Sequence, residues 1–191
     1  WDQMHSLRPT FCHRAIAALV AQGKVKHLIT TNVDNLHQKS GVPEDMITEI
    51  HGNVFLEVCL ECGYRHKAGV PVRIYGNDDW DHATHRTCTH CRQGPTVDTI
   101  VNFGELLPQS QFMKAYTSSH KADLMLVFGS SLTVPPSNEF PNNCLKTGGR
   151  LIICNMMRTR YQQHSNTLTV CARTDRFMEL VMGYLEIPVP D

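Results

Sequence analysis

The sequence has no surplus of charge of either sign. Its 191 residues carry 18 Lys and Arg against 18 Asp and Glu, a formal net charge of zero. A balanced chain lacks the broad field that draws proteins onto nucleic acid or anionic lipid, so this segment is expected to bind neither directly. Long hydrophobic runs are also missing. The longest, Leu124–Phe128, is strand-sized and far short of the ~20 apolar residues that span a bilayer. There is no secretory leader, internal repeat or low-complexity tract. The first residue is Trp1 rather than Met, so a longer parent is expected and the missing leader says little about it.

What is present suits one ordinary domain with a small appendage: 41% hydrophobic and 19% charged residues. Thr10 precedes an apolar stripe of Ala15, Ile16, Leu19 and Val20, which predicts a helix capped at Thr10 and stopped at Gly23. A short strand ending at Thr30 follows, then the polar turn Thr30–His37 and a short helix over 34–39, with Asn32 as a candidate cap. Residues 53–59 read as a strand. Residues 63–87 are polar, rich in His and Gly, weakly periodic, and read as an irregular insertion. A helix over 109–119, apolar strands over 122–128 and 150–154, and a last helix over 175–185 complete the pattern. In that last helix Phe177, Leu180, Val181 and Tyr184 form the expected inward stripe. Strands alternating with helices predict an α/β fold, Rossmann-like, with a mostly parallel sheet. The expected division is a main domain over 1–56 and 98–191 and a small module over 57–97.

Four of the eight cysteines form two Cys-x2-Cys pairs, Cys59/Cys62 and Cys88/Cys91, with 25 residues between them. Such turns present paired thiolates to one ion, and two of them close an all-thiolate tetrahedron with no open position, so a structural zinc is expected. Two disulfides or four unrelated thiols are the competing readings. The long gap is tolerable because loop-closure cost grows slowly with length. His66, His82, His85 and His90 are alternative ligands, read first as loop residues. Cysteine usage of this kind points to a reducing, intracellular setting.

Three predicted strands end in small polar groups: Asn32 and Asp34 after the first, Gly129, Ser130 and Ser131 after Phe128, and Asn155 after Cys154. Taken singly, each is as readily a turn or a helix cap. In open α/β sheets, however, ligands bind at the carboxyl ends of strands, where glycine lets backbone amides approach a phosphate or ribose. Together they suggest a nucleotide lying across the sheet edge. His51, beside Gly52, is a candidate general base near neutral pH.

In order along the chain stand Thr-x-Asn-Val-Asp-x-Leu-His, Ile-His-Gly-Asn, two Cys-x2-Cys pairs, Val-Asn-Phe-Gly-Glu, Gly-Ser-Ser-Leu-x-Val-x-Pro and Ile-Cys-Asn. From Arg8 to Pro188 this series resembles the sirtuins, and "EIHGNVFLEVC" and "DTIVNFGE" most resemble the nuclear, chromatin-associated subgroup. The resemblance implies a Rossmann-like NAD domain with an inserted zinc-ribbon module. It also implies NAD-dependent deacetylation, or more broadly deacylation, of protein lysines, a histone being one such protein. Nicotinamide leaves and the acyl group ends on ADP-ribose. His51 matches the catalytic histidine. Thr31, Asn32, Asp34, Gly129, Ser130, Ser131, Asn155 and Thr174 match cofactor-binding positions, Asn32 and Asp34 at the nicotinamide pocket. Phe103, Gly104, Glu105 and Val134 match the groove for the substrate peptide. The implied setting is intracellular, the nucleus ahead of the cytoplasm.

The chain departs from the family pattern at four points. It lacks the Gly-Ala-Gly-x-Ser strand and the cofactor loop with its Arg, so this chain alone is expected to bind NAD poorly. Thr31 stands where Gln is usual, Asn35 where Gly is usual, and Ala172 where a late Gly is usual. These leave two other readings open: a non-catalytic module that binds zinc and peptide, and a protein ADP-ribosyltransferase.

Overall fold

The computed structural model describes residues 4–72 and 81–190. A 3-10 turn at Met4–Ser6 leads into α1 (Phe11–Ala21), then β1 (Leu28–Thr30), the short α2 (Leu36–Lys39) and β2 (Ile47–Glu49). Next come β3 (Leu56–Cys59), β4 (Arg65–Lys67), β5 (Ala83–Thr87) and β6 (Pro95–Asp98). The chain closes with α3 (Gln109–Lys121), β7 (Leu124–Phe128), α4 (Phe140–Lys146), β8 (Arg150–Cys154), β9 (Thr167–Val170) and α5 (Thr174–Leu185).

Two parallel sheets carry the outer portions, β1–β2 and β7–β8–β9, and one antiparallel sheet of order β4–β3–β6–β5 lies between them in sequence. Helices cover both faces of the parallel strands. On one side α1 and α5 enclose Ile16, Leu19, Val20, Met178 and Met182, and Leu28 and Phe128 pack against that cluster. On the other, Phe140 of α4 and Ala115 of α3 meet Ile50, with Ile29 and Met125 against them. This is the Rossmann-like arrangement of helices about parallel strands. Among the described residues β1 pairs only with β2 and β7 only with β8, so one edge of each sheet is unpaired.

Several local readings need correction. The insertion is not simply irregular, since β4 and β5 run through it; residues 73–80 lie outside the described part. Asn32 does not cap α2. Asn35 holds the N-cap position at φ +64°, a left-handed conformation asparagine tolerates, and Asp34 Oδ1 accepts the Leu36 amide. The inward stripe of α5 is also re-phased. Met178 and Met182 are buried, whereas Leu180 is 59% and Tyr184 90% exposed. α1 sets this register through the shared cluster, and the flexible Met side chains fill it.

The re-phased stripe gives a direct test. Met178→Ala should lower unfolding stability by about 2–5 kcal/mol, and Leu180→Ala by about 0.5 kcal/mol or less. Denaturant titration of both variants measures this; equal losses would restore the original stripe.

Candidate functional site

Because β1, β7 and β8 are parallel within their sheets, their carboxyl ends release loops in a common sense. A cavity of ≈ 480 Å³ lies where the first two meet. Leu28, Ile29 and Thr30 of β1 line it from one side and Leu126, Val127 and Phe128 of β7 from the other. The unpaired edges of the two sheets thus border one space. Of the sequence-derived positions, Thr31, Asn32, Gly129, Ser130, Ser131, Val134 and Thr174 line this cavity.

The Gly129–Leu132 turn is built by its own groups. Gly129 sits at φ +57° and donates its amide to the Cys154 carbonyl at 3.2 Å. Ser130 Oγ accepts the Leu132 amide at 3.2 Å, and the Ser131 and Thr133 hydroxyls share a 2.8 Å bond. Asn155 does not line the cavity, but its Nδ2 donates to the Ser130 carbonyl at 2.8 Å. It therefore fixes the turn from the end of β8.

His51 stands at the rim, half-buried and not among the lining residues. Its ring hydrogen-bonds the Thr31 carbonyl, and its Nε2 lies 3.5 Å from Ser137 Oγ; Thr31 and Ser137 both line the cavity. Burial lowers the His51 pKa below the ordinary histidine value, against the pull of the Thr31 carbonyl. A neutral imidazole at neutral pH can accept a proton. Gly52 makes this placement possible: at φ +84°, a Cβ there would lie 1.9 Å from the Thr99 carbonyl oxygen. That close approach lets Val101 donate its amide to the His51 carbonyl at 3.1 Å.

Asn53, which the sequence reading passed over although it ends the Ile-His-Gly-Asn motif, ties the two polar loops together. Its buried carboxamide donates to Asn35 Oδ1 at 2.8 Å and Glu49 Oε1 at 2.6 Å, and Gln38 donates to Glu49 Oε2 at 3.0 Å. Burial raises the Glu49 pKa, and the Asn53 bond opposes that rise.

Asp34, Phe103, Gly104 and Glu105 do not line the cavity. Phe103 is 87% exposed on the loop after β6. His37 packs against the His13 ring at 4.7 Å between centroids. Burial, then the neighbouring His13, pushes its pKa down to about 4, so it stays neutral and structural.

The four motif cysteines converge. Their sulfurs all lie within 4.8 Å of one another, with Cys59–Cys91 and Cys62–Cys88 both at 3.7 Å. A zinc tetrahedron with bonds of about 2.3 Å has sulfur–sulfur edges of about 3.8 Å, whereas a disulfide would bring two sulfurs to about 2.05 Å. All four are free thiols, so the disulfide reading falls away. Amides of Cys62, Cys91 and Gly94 point at Cys59, Cys88 and Cys91 sulfurs at 3.4–3.5 Å, as charge on thiolates would require. Burial opposes ionisation of Cys88, but amides of Cys91 and His90 and the His66 ring outweigh it, lowering its pKa to about 5. The residues fit one structural zinc. Of the alternative ligands, His66 lies 3.3 Å from Cys88 Sγ as a neighbour, and His82 is engaged elsewhere.

Two outcomes follow for the metal centre. The four thiols should resist alkylation until a chelator removes one metal ion per chain; early labelling of Cys59 or Cys88 would contradict this. Gly94→Ala, whose Cβ would sit 2.5 Å from Cys59 Sγ, should weaken metal retention in a chelator competition.

The Sir2 family pattern matches residues 2–136. Over 188 residues the chain is 30% identical to the "NAD-dependent protein deacetylase Sirt6" of Drosophila melanogaster, covering 96% of this chain and 59% of that protein. It is 37% identical over 162 residues to "NAD-dependent protein deacetylase 1" of Bradyrhizobium diazoefficiens, covering 81% of this chain and 61% of that one. The chain thus spans less than two thirds of these relatives. Among solved structures, "Sir2 bound to acetylated peptide" superposes with a TM-score of 0.77 at 30% identity, over 97% of this chain and 74% of the other. "Sir2-p53 peptide-NAD+" does so with a TM-score of 0.74 at 29% identity, over 96% and 72%. With the fold, the cavity and the cysteine cluster in agreement, the chain belongs to the Sir2, or sirtuin, family.

Proposed function

We propose that this chain is the core of an NAD-dependent protein-lysine deacylase. The observation that carries the reading is the convergence of the Thr31–Asn32 and Gly129–Ser131 loops on one cavity, with His51 bonded to its rim. Bound NAD would supply the ADP-ribosyl group that accepts the acyl chain as nicotinamide departs. Asn32 and Thr31 would face the nicotinamide end, with Asp34 behind them in the same turn. Gly129, Ser130 and Ser131, braced by Asn155, would hold ribose and phosphate oxygens, and Thr174 would lie near the adenine. His51 would take a proton from a ribose hydroxyl, a role that needs its imidazole neutral. The loop at Phe103–Glu105 and the residue Val134 would border an acylated-lysine peptide, paired largely by main-chain bonds. The likeness to a Sirt6 relative supports a nuclear setting and chromatin-type substrates, a histone among them. The coarser fact is that no helix among the described residues is long and apolar enough to cross a membrane.

A second reading has its own observation. The facing edges of β1 and β7 leave room for a further parallel strand, where the family carries its Gly-Ala-Gly-x-Ser segment. With that edge unfilled, the 191-residue chain acts as a zinc- and peptide-binding module. Supplying such a strand should tighten NAD binding by about tenfold or more, ~1.4 kcal/mol, as calorimetry can measure. Equal affinity with and without it would remove this second reading.

For the main reading, the longer protein is incubated with NAD and acylated peptides while nicotinamide release is followed. His51→Ala should lower kcat by about 10²–10⁴-fold and leave zinc content unchanged. The rate should rise with pH through and below the ordinary histidine range, because His51 must lose its proton and burial lowers its pKa. Bound NAD without any NAD-dependent product across several acyl chains would exclude the deacylase.

A further inference from the structure

The loop after β6 is closed by three side chains remote in sequence. Asp98 ends β6 with a carboxylate that is 2% exposed, and its Oδ1 accepts the Ile100 amide at 2.8 Å. Seven residues on, Glu105 accepts the Asn102 amide through Oε2 at 2.7 Å and the Asn102 carboxamide through Oε1 at 3.0 Å. His82, at the start of β5, lies between them. Its Nδ1 is 2.9 Å from Asp98 Oδ1 and its Nε2 2.8 Å from Glu105 Oε1. Both carboxylates can only accept, so both ring nitrogens donate when the imidazole is protonated. The Glu105 side chain is thereby committed to its own loop, where the sequence reading had assigned it to substrate. The loop held this way bonds to the His51 carbonyl through Val101 and projects Phe103 and Leu106, 87% and 94% exposed, into solvent.

We propose that His82 is a positioning residue for peptide binding, a charged bridge that fixes the 99–105 loop between the antiparallel sheet and the backbone of His51. The proposal rests on the deacylase reading, because the loop is taken as one border of the acyl-lysine peptide. Among the described residues, the charged groups facing the ring are Asp98 from β6 and Glu105 from the loop. The Asn102 carboxamide lies at 3.5 Å, and the neighbouring Asp81 turns its carboxylate to the Ala83 amide. Burial works against the charge on His82, but the bonds to Asp98 and Glu105 overcome it, so its pKa lies above the ordinary histidine value. Burial likewise opposes Glu105 ionisation, and the His82 and Asn102 bonds overcome it. The sign follows from the raised pKa. The bridge is complete below the ordinary histidine range and is lost as pH rises through the raised value. A neutral ring keeps one donor and turns a lone pair toward the other carboxylate. Peptide affinity therefore weakens on the alkaline side, while turnover through His51 weakens on the acid side.

The test uses the longer protein with two readouts. Hydrogen-exchange protection of the Asn102 and Glu105 amides, which needs no substrate, should fall in His82→Gln and should fall in the wild type as pH rises. The KM for an acylated peptide should rise about tenfold in His82→Gln, with kcat changed less than about twofold. In His82→Arg, which keeps the charge, KM should stay low and lose its alkaline rise. Unchanged protection in His82→Gln would overturn the bridge. Lost protection with an unchanged KM would overturn the positioning role. Absence of deacylation in the wild type, with the protection result intact, would count against the deacylase reading instead.

Discussion

The site depends on one close approach of backbone to backbone. Gly52 packs against the Thr99 carbonyl at a distance no side chain could share, and at a φ that favours glycine. Two loops from opposite ends of the inserted segment are thereby locked side by side. One carries His51. The other carries Val101, whose amide bonds the His51 carbonyl, and continues to Phe103 and Glu105. Asn53 completes the joint, since its backbone amide and carbonyl both bond Thr99 Oγ1 while its side chain reaches Asn35 and Glu49. Catalytic histidine, cofactor loop and peptide loop thus share one buried, satisfied polar network, the kind of arrangement that rigidifies a site.

The metal centre serves this joint from the far side. The sheet of β3–β6 has short strands and few large apolar side chains, so hydrogen bonds and thiolate–metal bonds supply much of its order. β3 and β6 leave that sheet directly into the His51 and Val101 loops. Zinc is remote from the chemistry, yet it fixes the ends of the segment from which the rim of the cavity is hung.

Much of the architecture was legible because apolar runs bounded by glycine mark β7 and β8, and a 3.6-residue stripe marks α1. What escaped has physical causes. β4 and β5 are polar and mostly exposed, so they carry no alternating signal. α4 is seven residues with Pro141 in its first turn and two asparagines behind it, a pattern that reads as loop although Pro is well placed there. The α5 stripe was misjudged because Leu180 and Tyr184 look more apolar than Met178 and Met182, while packing against α1 decides. At the site, residue types and order sufficed to place the cavity-lining loops. The engagement of Glu105 with His82, 23 positions away, is a long-range contact that no local pattern announces.

The central claim is that acyl-lysine peptide and NAD meet at one cavity, with His51 acting after nicotinamide has left. Exchange of labelled nicotinamide into NAD tests it most directly. The account predicts exchange only when the acylated peptide is present, persisting in His51→Ala while deacylated product disappears. Exchange without peptide, or undiminished product from His51→Ala, would contradict it.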